Sequence, residues 1–181
     1  MRDILDGLKR DHGNFAMLLR AFERELKVFD TGARPDYELI EDILRYSLDY
    51  PDQTHHRTEE YLVRRIWREH GGAKEVLRNV VSEHDELRSQ ATEILTLVDA
   101  ILMEQPTDRE AFVRKSRAFV DDYRNHMQRE ETVLFPLVED LLPACESLKI
   151  PERKANATDP VFGRGTGYTA ERLRAAVART D

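Results

Sequence analysis

His55 and Glu59 stand four residues apart, and about 71 residues later His126 and Glu130 stand four apart again. A further histidine precedes each pair: His12 lies 43 residues before His55, and His84 lies 42 before His126. The text around the second member reads H-H-R-T-E-E in one half of the chain and H-M-Q-R-E-E in the other. Four imidazoles and two carboxylates repeated in register make a ligand set for cations. Mixed nitrogen and oxygen donors suit iron, manganese or zinc. A carboxylate can bridge two ions while imidazoles bind terminally. Six such donors shared between two ions leave coordination positions for water, an oxo group or dioxygen.

The remaining composition removes other chemistries. Cys145 is the only cysteine, so neither an internal disulfide nor a thiolate metal site can be built. The formal net charge is −7 and no run of Lys or Arg is present, so nucleic acid is not an expected partner. No stretch reaches the length of a membrane span. The opening residues MRDILDGLKRDHG are amphipathic and charged, without the apolar core of a signal peptide. The expectation is a soluble cytoplasmic protein with no membrane contact; the sequence names no protein partner.

The donors must be carried by elements that aim them at one place, and the apolar period is helical almost throughout. A first helix is predicted over 2–29, with Leu5, Leu8, Phe15, Leu19, Phe22 and Leu26 on one stripe and His12 filling its gap. Thr31 to Pro35 reads as a loop. A second helical region is predicted over 36–69, interrupted near Tyr50-Pro51, with His55, Glu59, Leu62 and Ile66 on one face and Gly71-Gly72 as its end. A third helix over 73–104 carries Leu77, Val80, His84, Leu87, Ala91, Ile94, Val98 and Ile101. A fourth over 108–142, capped by Thr107 or Asp108, carries Phe112, Phe119, Tyr123, His126, Glu130, Val133 and Leu137. Pro136 should kink it or weaken its last turns. Residues 143–167 read as an irregular arm, followed by a short helix over 169–178 that Leu173 and Val177 would dock. The predicted fold is all-α: an up-down-up-down four-helix bundle over 1–143, with a C-terminal extension over 144–181 packing on the bundle or on a partner.

Each His-x-x-x-Glu pair continues the apolar stripe of its helix, so both members point inward. An ionised carboxylate buried there is costly unless it is paired or coordinated. No inward Lys or Arg is available, Arg88 being the nearest candidate. Two metal ions would neutralise Glu59 and Glu130 and engage the four imidazoles.

At these residues the sequence resembles the hemerythrin-like family, the His-His-Glu cation-binding domain. The resemblance covers about residues 1–143. It rests on His12, on Asp49-Tyr-Pro-Asp52 with His55-His56-x-x-Glu59-Glu60, on Glu83-His84, and on His126-x-x-x-Glu130-Glu131-x-x-Leu-Phe-Pro136. Asp159-Pro-Val-Phe-Gly163 is similar to the tail of some bacterial members. The resemblance implies a non-heme di-iron centre with His12, His55, Glu59, His84, His126 and Glu130 as ligands and the two glutamates as bridges. Oxygen-carrying hemerythrins place another histidine four residues after the third-helix ligand; here Arg88 stands there.

Three residues are candidates for a supporting place at the site: His56 as a substitute ligand or hydrogen-bonding group, Tyr123 as a donor to a bound oxygen species, and Arg88 as an anion contact. Tyr46 and Tyr50 are weaker candidates, and His70 reads as a helix end. Three functional classes share the ligand set: a di-iron protein binding or sensing dioxygen or a related small oxidant, a di-iron oxidoreductase acting on peroxide or nitric oxide, and a metal-dependent structural or regulatory module. Family members that repair iron-sulfur centres carry an N-terminal segment with paired cysteines, so with Cys145 alone that role is not expected here.

Overall fold

A computed structural model describes residues 2–71, 74–142, 159–163 and 168–179, and every regular element among them is helical. Helix α1 spans Arg2–Asp30. Helix α2 (Tyr37–Tyr50), a π-helical turn (Pro51–His55) and α3 (His56–His70) follow one another directly. Helix α4 spans Lys74–Leu102. Helix α5 (Arg109–Arg129), a second π-helical turn (Glu130–Leu134) and α6 (Phe135–Leu141) form another continuous run, and α7 is Tyr168–Val177. Gly72, Ala73, Cys145 and the arm residues 143–158 and 164–167 lie outside the described residues, as does the Leu77 side chain. No helix among the described residues is long and apolar enough to cross a membrane.

Local chemistry sets the helix ends. Asp36 accepts a hydrogen bond from the Leu39 N–H at 2.9 Å and starts α2; Asp108, one of the two expected caps, does the same for Ala111 at 2.9 Å and starts α5. Gly71 closes α3 in the left-handed region at φ +68°, where its missing side chain removes the steric penalty.

Two sequence expectations change at the π-helical turns. The predicted interruption at Pro51 is a widened turn, with the His56 N–H bonded to the Pro51 carbonyl five residues back. Val133, expected on the buried stripe, is 53% exposed. The turn over Glu130–Leu134 inserts one extra residue, so the inward face after Glu130 passes to Leu134, Phe135 and Val138.

Helix α1 packs against α2 and α5, and α4 packs against α2, α3 and α5. The apolar core has two parts. The larger includes Phe15, Phe22, Ile43, Ile94, Phe112 and Phe119; the smaller includes Leu5, Leu8, Leu62, Ile66, Leu134 and Phe135. Along each run a polar residue separates them: His12 between Leu8 and Phe15, Glu59 before Leu62, His84 between Val80 and Leu87, and Glu130 before Leu134.

Helix α7 packs on α1 and α2. It buries Leu173 and Ala176 in the larger part of the core and sets Arg172 against Asp42 and Glu38. Asp159 accepts the Val161 and Phe162 N–H groups and the Tyr46 hydroxyl, the last at 2.9 Å. Asp42 is buried, so Arg172→Ala leaves a carboxylate without its strongest partner. That variant should lose about 1–3 kcal/mol of unfolding free energy in a urea titration, with helicity retained.

Candidate metal centre

The six residues singled out by spacing converge from all the long helical runs. His12 comes from the middle of α1, His55 from the last position of the first π turn, Glu59 from the first turn of α3, and His84 from α4. His126 comes from α5, and Glu130 opens the second π turn. None is more than 3% exposed.

Their contacts sort into two poles. At the first, Glu59 Oε1 lies 3.2 Å from His55 Nε2 and 3.8 Å from His12 Nε2, and Glu130 Oε2 lies 3.2 Å from His12 Nε2. At the second, Glu59 Oε2 lies 3.5 Å from His84 Nε2, while Glu130 Oε1 lies 3.5 Å from His84 Nε2 and 3.3 Å from His126 Nε2. Each carboxylate thus turns one oxygen to each pole. Both imidazoles of the first pole come from the first half of the chain, and both of the second come from the second half.

The outer nitrogens are held in a second repeating pattern. His12 Nδ1 donates to Glu131 at 2.9 Å, His55 Nδ1 to Asp11 at 3.3 Å, and His126 Nδ1 to Glu83 at 2.9 Å; His84 Nδ1 faces Glu60 at 3.6 Å. These hydrogen bonds fix the His12, His55 and His126 rings with Nε2 inward, as carboxylates behind metal-bound histidines do, while Glu60 stands behind His84 without a hydrogen bond to it. Sequence reading quoted Glu60, Glu83 and Glu131 within the motifs but assigned none of these four acidic residues to a ring. Their signal was present: Asp11 and Glu83 each precede the first histidine of a half, and Glu60 and Glu131 each follow its glutamate.

The donor set fits a metal. Both oxygens of Glu59, both of Glu130, and the Nε2 atoms of His84 and His126 are buried with no hydrogen-bond partner among the described residues. Buried polar atoms seldom go unsatisfied, and a group of them calls for an ion. His12 Nε2 and His55 Nε2 stand 3.1 Å apart, close to the separation of two ligands each held about 2.1 Å from one ion. Two sets, His12-His55-Glu59-Glu130 and Glu59-His84-His126-Glu130, each bring one ligand atom per residue within 4.8 Å of the others.

The supporting candidates fall in different places. His56 is buried, with Nδ1 on Asp52 at 3.0 Å and its ring stacked on His84 at 3.8 Å. Tyr123 is buried, its ring edge-on to His126 and its hydroxyl without a hydrogen-bond partner among the described residues. Arg88 does not enter the site: half-exposed, it pairs with Asp52 at 2.7 Å and with Asp85 at 3.3 Å. The Tyr46 hydroxyl is engaged by Asp159 rather than by the centre. His70 ends α3 at the surface.

With no metal bound, protons carry the compensating charge. Burial opposes a charged His55, but Glu59 and Asp11 overcome it and lift the imidazole to about 10. Burial likewise opposes a charged His84, and Glu130, Glu59 and Glu60 lift it to about 11. Burial raises Glu59 and Glu130, and the surrounding imidazoles outweigh it and hold both below the ordinary carboxylate value. His56 moves the other way, to about 4, because burial and the neighbouring His84 disfavour its charge. The His55 and His84 contribution to stability is fully present below the ordinary value of 6.5 and is lost as pH rises through about 10 and 11. His56 destabilises the fold as pH falls from 6.5 through about 4. Calorimetry of chelator-treated protein should therefore show the thermal midpoint greatest near pH 6.5 and falling towards pH 9.5. Divalent cation should cancel the alkaline fall, since it replaces those protons. A level midpoint from pH 6.5 to 9.5 without metal would contradict this account.

The family model described as Hemerythrin HHE cation binding domain matches residues 3–138, a span running from α1 into α6 and containing all six donors. No curated protein and no solved structure matches the chain. On the match over that span, the chain belongs to the hemerythrin HHE cation-binding family.

Proposed function

We propose that the chain holds two metal ions, iron in the cell, and uses them to bind or sense dioxygen or a related small oxidant. His12 and His55 would serve one ion, His84 and His126 the other, with Glu59 and Glu130 shared. One observation carries the reading: each buried carboxylate gives one oxygen to each pole. Imidazole and carboxylate donors without thiolate suit iron, with manganese or zinc as alternatives. The packing of α1 on α2 and α5, and of α4 on α2, α3 and α5, supports an up-down-up-down four-helix bundle over 1–143, with 144–181 as an extension.

Bound iron supplies electron exchange with a small oxidant. The protein's part is to orient, enclose and donate. The carboxylates hydrogen-bonded to His12, His55 and His126 fix ring direction and strengthen the inward nitrogens as ligands. Phe135 stacks on His12 at 5.4 Å and Phe15 meets His55 edge-on at 5.2 Å, closing the first pole against water. Burial, Glu130 and Glu59 push the Tyr123 phenol well above its ordinary value, so it keeps its proton and can donate to an incoming oxygen atom. A cavity of about 200 Å³ between α4 and the second π turn, walled by Val80, Val133, Leu134 and Glu130 itself, offers a small molecule an approach.

Metal analysis combined with absorption spectra before and after air tests the reading. Two irons per chain are expected, with visible bands of an oxidised, bridged pair growing on exposure. Only trace metal, or zinc alone, in freshly purified protein would overturn the iron assignment. Because Glu59 serves both poles, Glu59→Gln should weaken both ions by at least about tenfold. His126→Gln should weaken one far more than the other, and equal losses in the two variants would contradict the shared-carboxylate arrangement.

A further inference from the structure

One buried base at the centre has no role in the six-residue set. His56 is 5% exposed, and its Nε2 has no hydrogen-bond partner among the described residues. Its other nitrogen is held as those of His12, His55 and His126 are held, with Nδ1 giving its proton to a carboxylate, here Asp52 Oδ1 at 3.0 Å. That contact leaves Nε2 as the free nitrogen, with its lone pair inside the protein. The ring lies nearly parallel to His84, 3.8 Å between centroids and 16° between planes, and is edge-on to His126 at 6.1 Å. One ring nitrogen from each of His56, His84 and His126 falls within 4.8 Å of the others.

Asp52 is itself fixed. Its Oδ2 accepts from Arg88 Nε at 2.7 Å. Burial raises this carboxyl, but His56 and Arg88 together pull it well below the usual range, so it stays ionised. Arg88 therefore acts on the centre at two removes: guanidinium to carboxylate, carboxylate to imidazole. A histidine that merely filled core volume would need neither the carboxylate behind it nor an unsatisfied nitrogen in front. Leaving that nitrogen unpaired is costly in a buried site, and a cation beside it removes the cost.

We propose that His56 is a third imidazole ligand of the second pole, with Asp52 and Arg88 as its positioning residues. The second ion would then have three imidazoles and the first ion two. This assignment rests on the two-ion reading above.

Two measurements test it. In the first, cobalt(II), which shares the nitrogen and oxygen preference of iron, is titrated into native protein and into His56→Gln. Native protein should take up two ions. In the variant the more weakly held ion should bind at least about tenfold less tightly, while the other is unchanged. In the second, proton NMR of cobalt-loaded native protein in water counts imidazole N–H signals shifted outside the ordinary range and lost in deuterium oxide. Five such signals are expected, one for the outer N–H of each ligand imidazole. Four signals, or a variant that binds both ions like native protein, would overturn the assignment while leaving the two-ion centre standing. Failure of native protein to take up any ion would overturn both. The NMR count needs no substitution, so it decides the matter even if His56→Gln folds poorly.

Discussion

Burial of two carboxylates at the centre of a helical protein is the constraint on which the rest of the structure depends. Glu59 and Glu130 are almost completely shielded from water, and no Lys or Arg pairs with either among the described residues. Their charge must be met by protons on imidazoles or by metal ions. The surrounding groups answer that requirement. Histidines supply bases that bind either cation, and acidic residues behind them keep the rings turned inward. Aromatic and aliphatic side chains exclude the water that would otherwise screen the charges.

The same constraint explains why the apolar core is divided. A layer of histidine and glutamate contributes little hydrophobic stabilisation, so the clusters on either side must supply it. Large fully buried groups lie on both sides, including Phe22, Phe112 and Phe119 on one and Phe135 on the other. The two π-helical turns sit beside this layer, with His55 ending one and Glu130 beginning the other. Widened turns of this kind change which side chains face inward over a short distance, and they recur at functional positions in helices.

Much of this was legible in the sequence, because helical periodicity and ligand spacing are both local. His12 fills a gap in an apolar stripe, and His55 with Glu59 continues another, so their inward direction followed from residues nearby. Val133 shows where local reading fails. A period of 3.6 carried unchanged past Glu130 puts it inside, and only the extra residue of the π turn exposes it. The carboxylates behind the rings were hidden for a different reason. Glu131 adjoins Glu130 in sequence, yet the ring it holds is His12, and sequence adjacency says nothing about which neighbour a side chain meets across the interior. His56 was ambiguous for the same reason: its value depends on Asp52 one turn away and on His84 from another helix. Arg88, read as a departure at a ligand position, belongs to that same surface-to-core connection.

The acidic groups behind the rings do not all stay within their own half of the chain. Asp11 holds His55 and Glu83 holds His126 inside one half each, whereas Glu131 reaches His12 and Glu60 faces His84 across the divide. Sliding one half against the other would leave the first two contacts unchanged and stretch the last two. One of the stretched contacts sits at each pole. Misalignment along the seam would therefore be felt at both poles together, through the carboxylates that face His12 and His84.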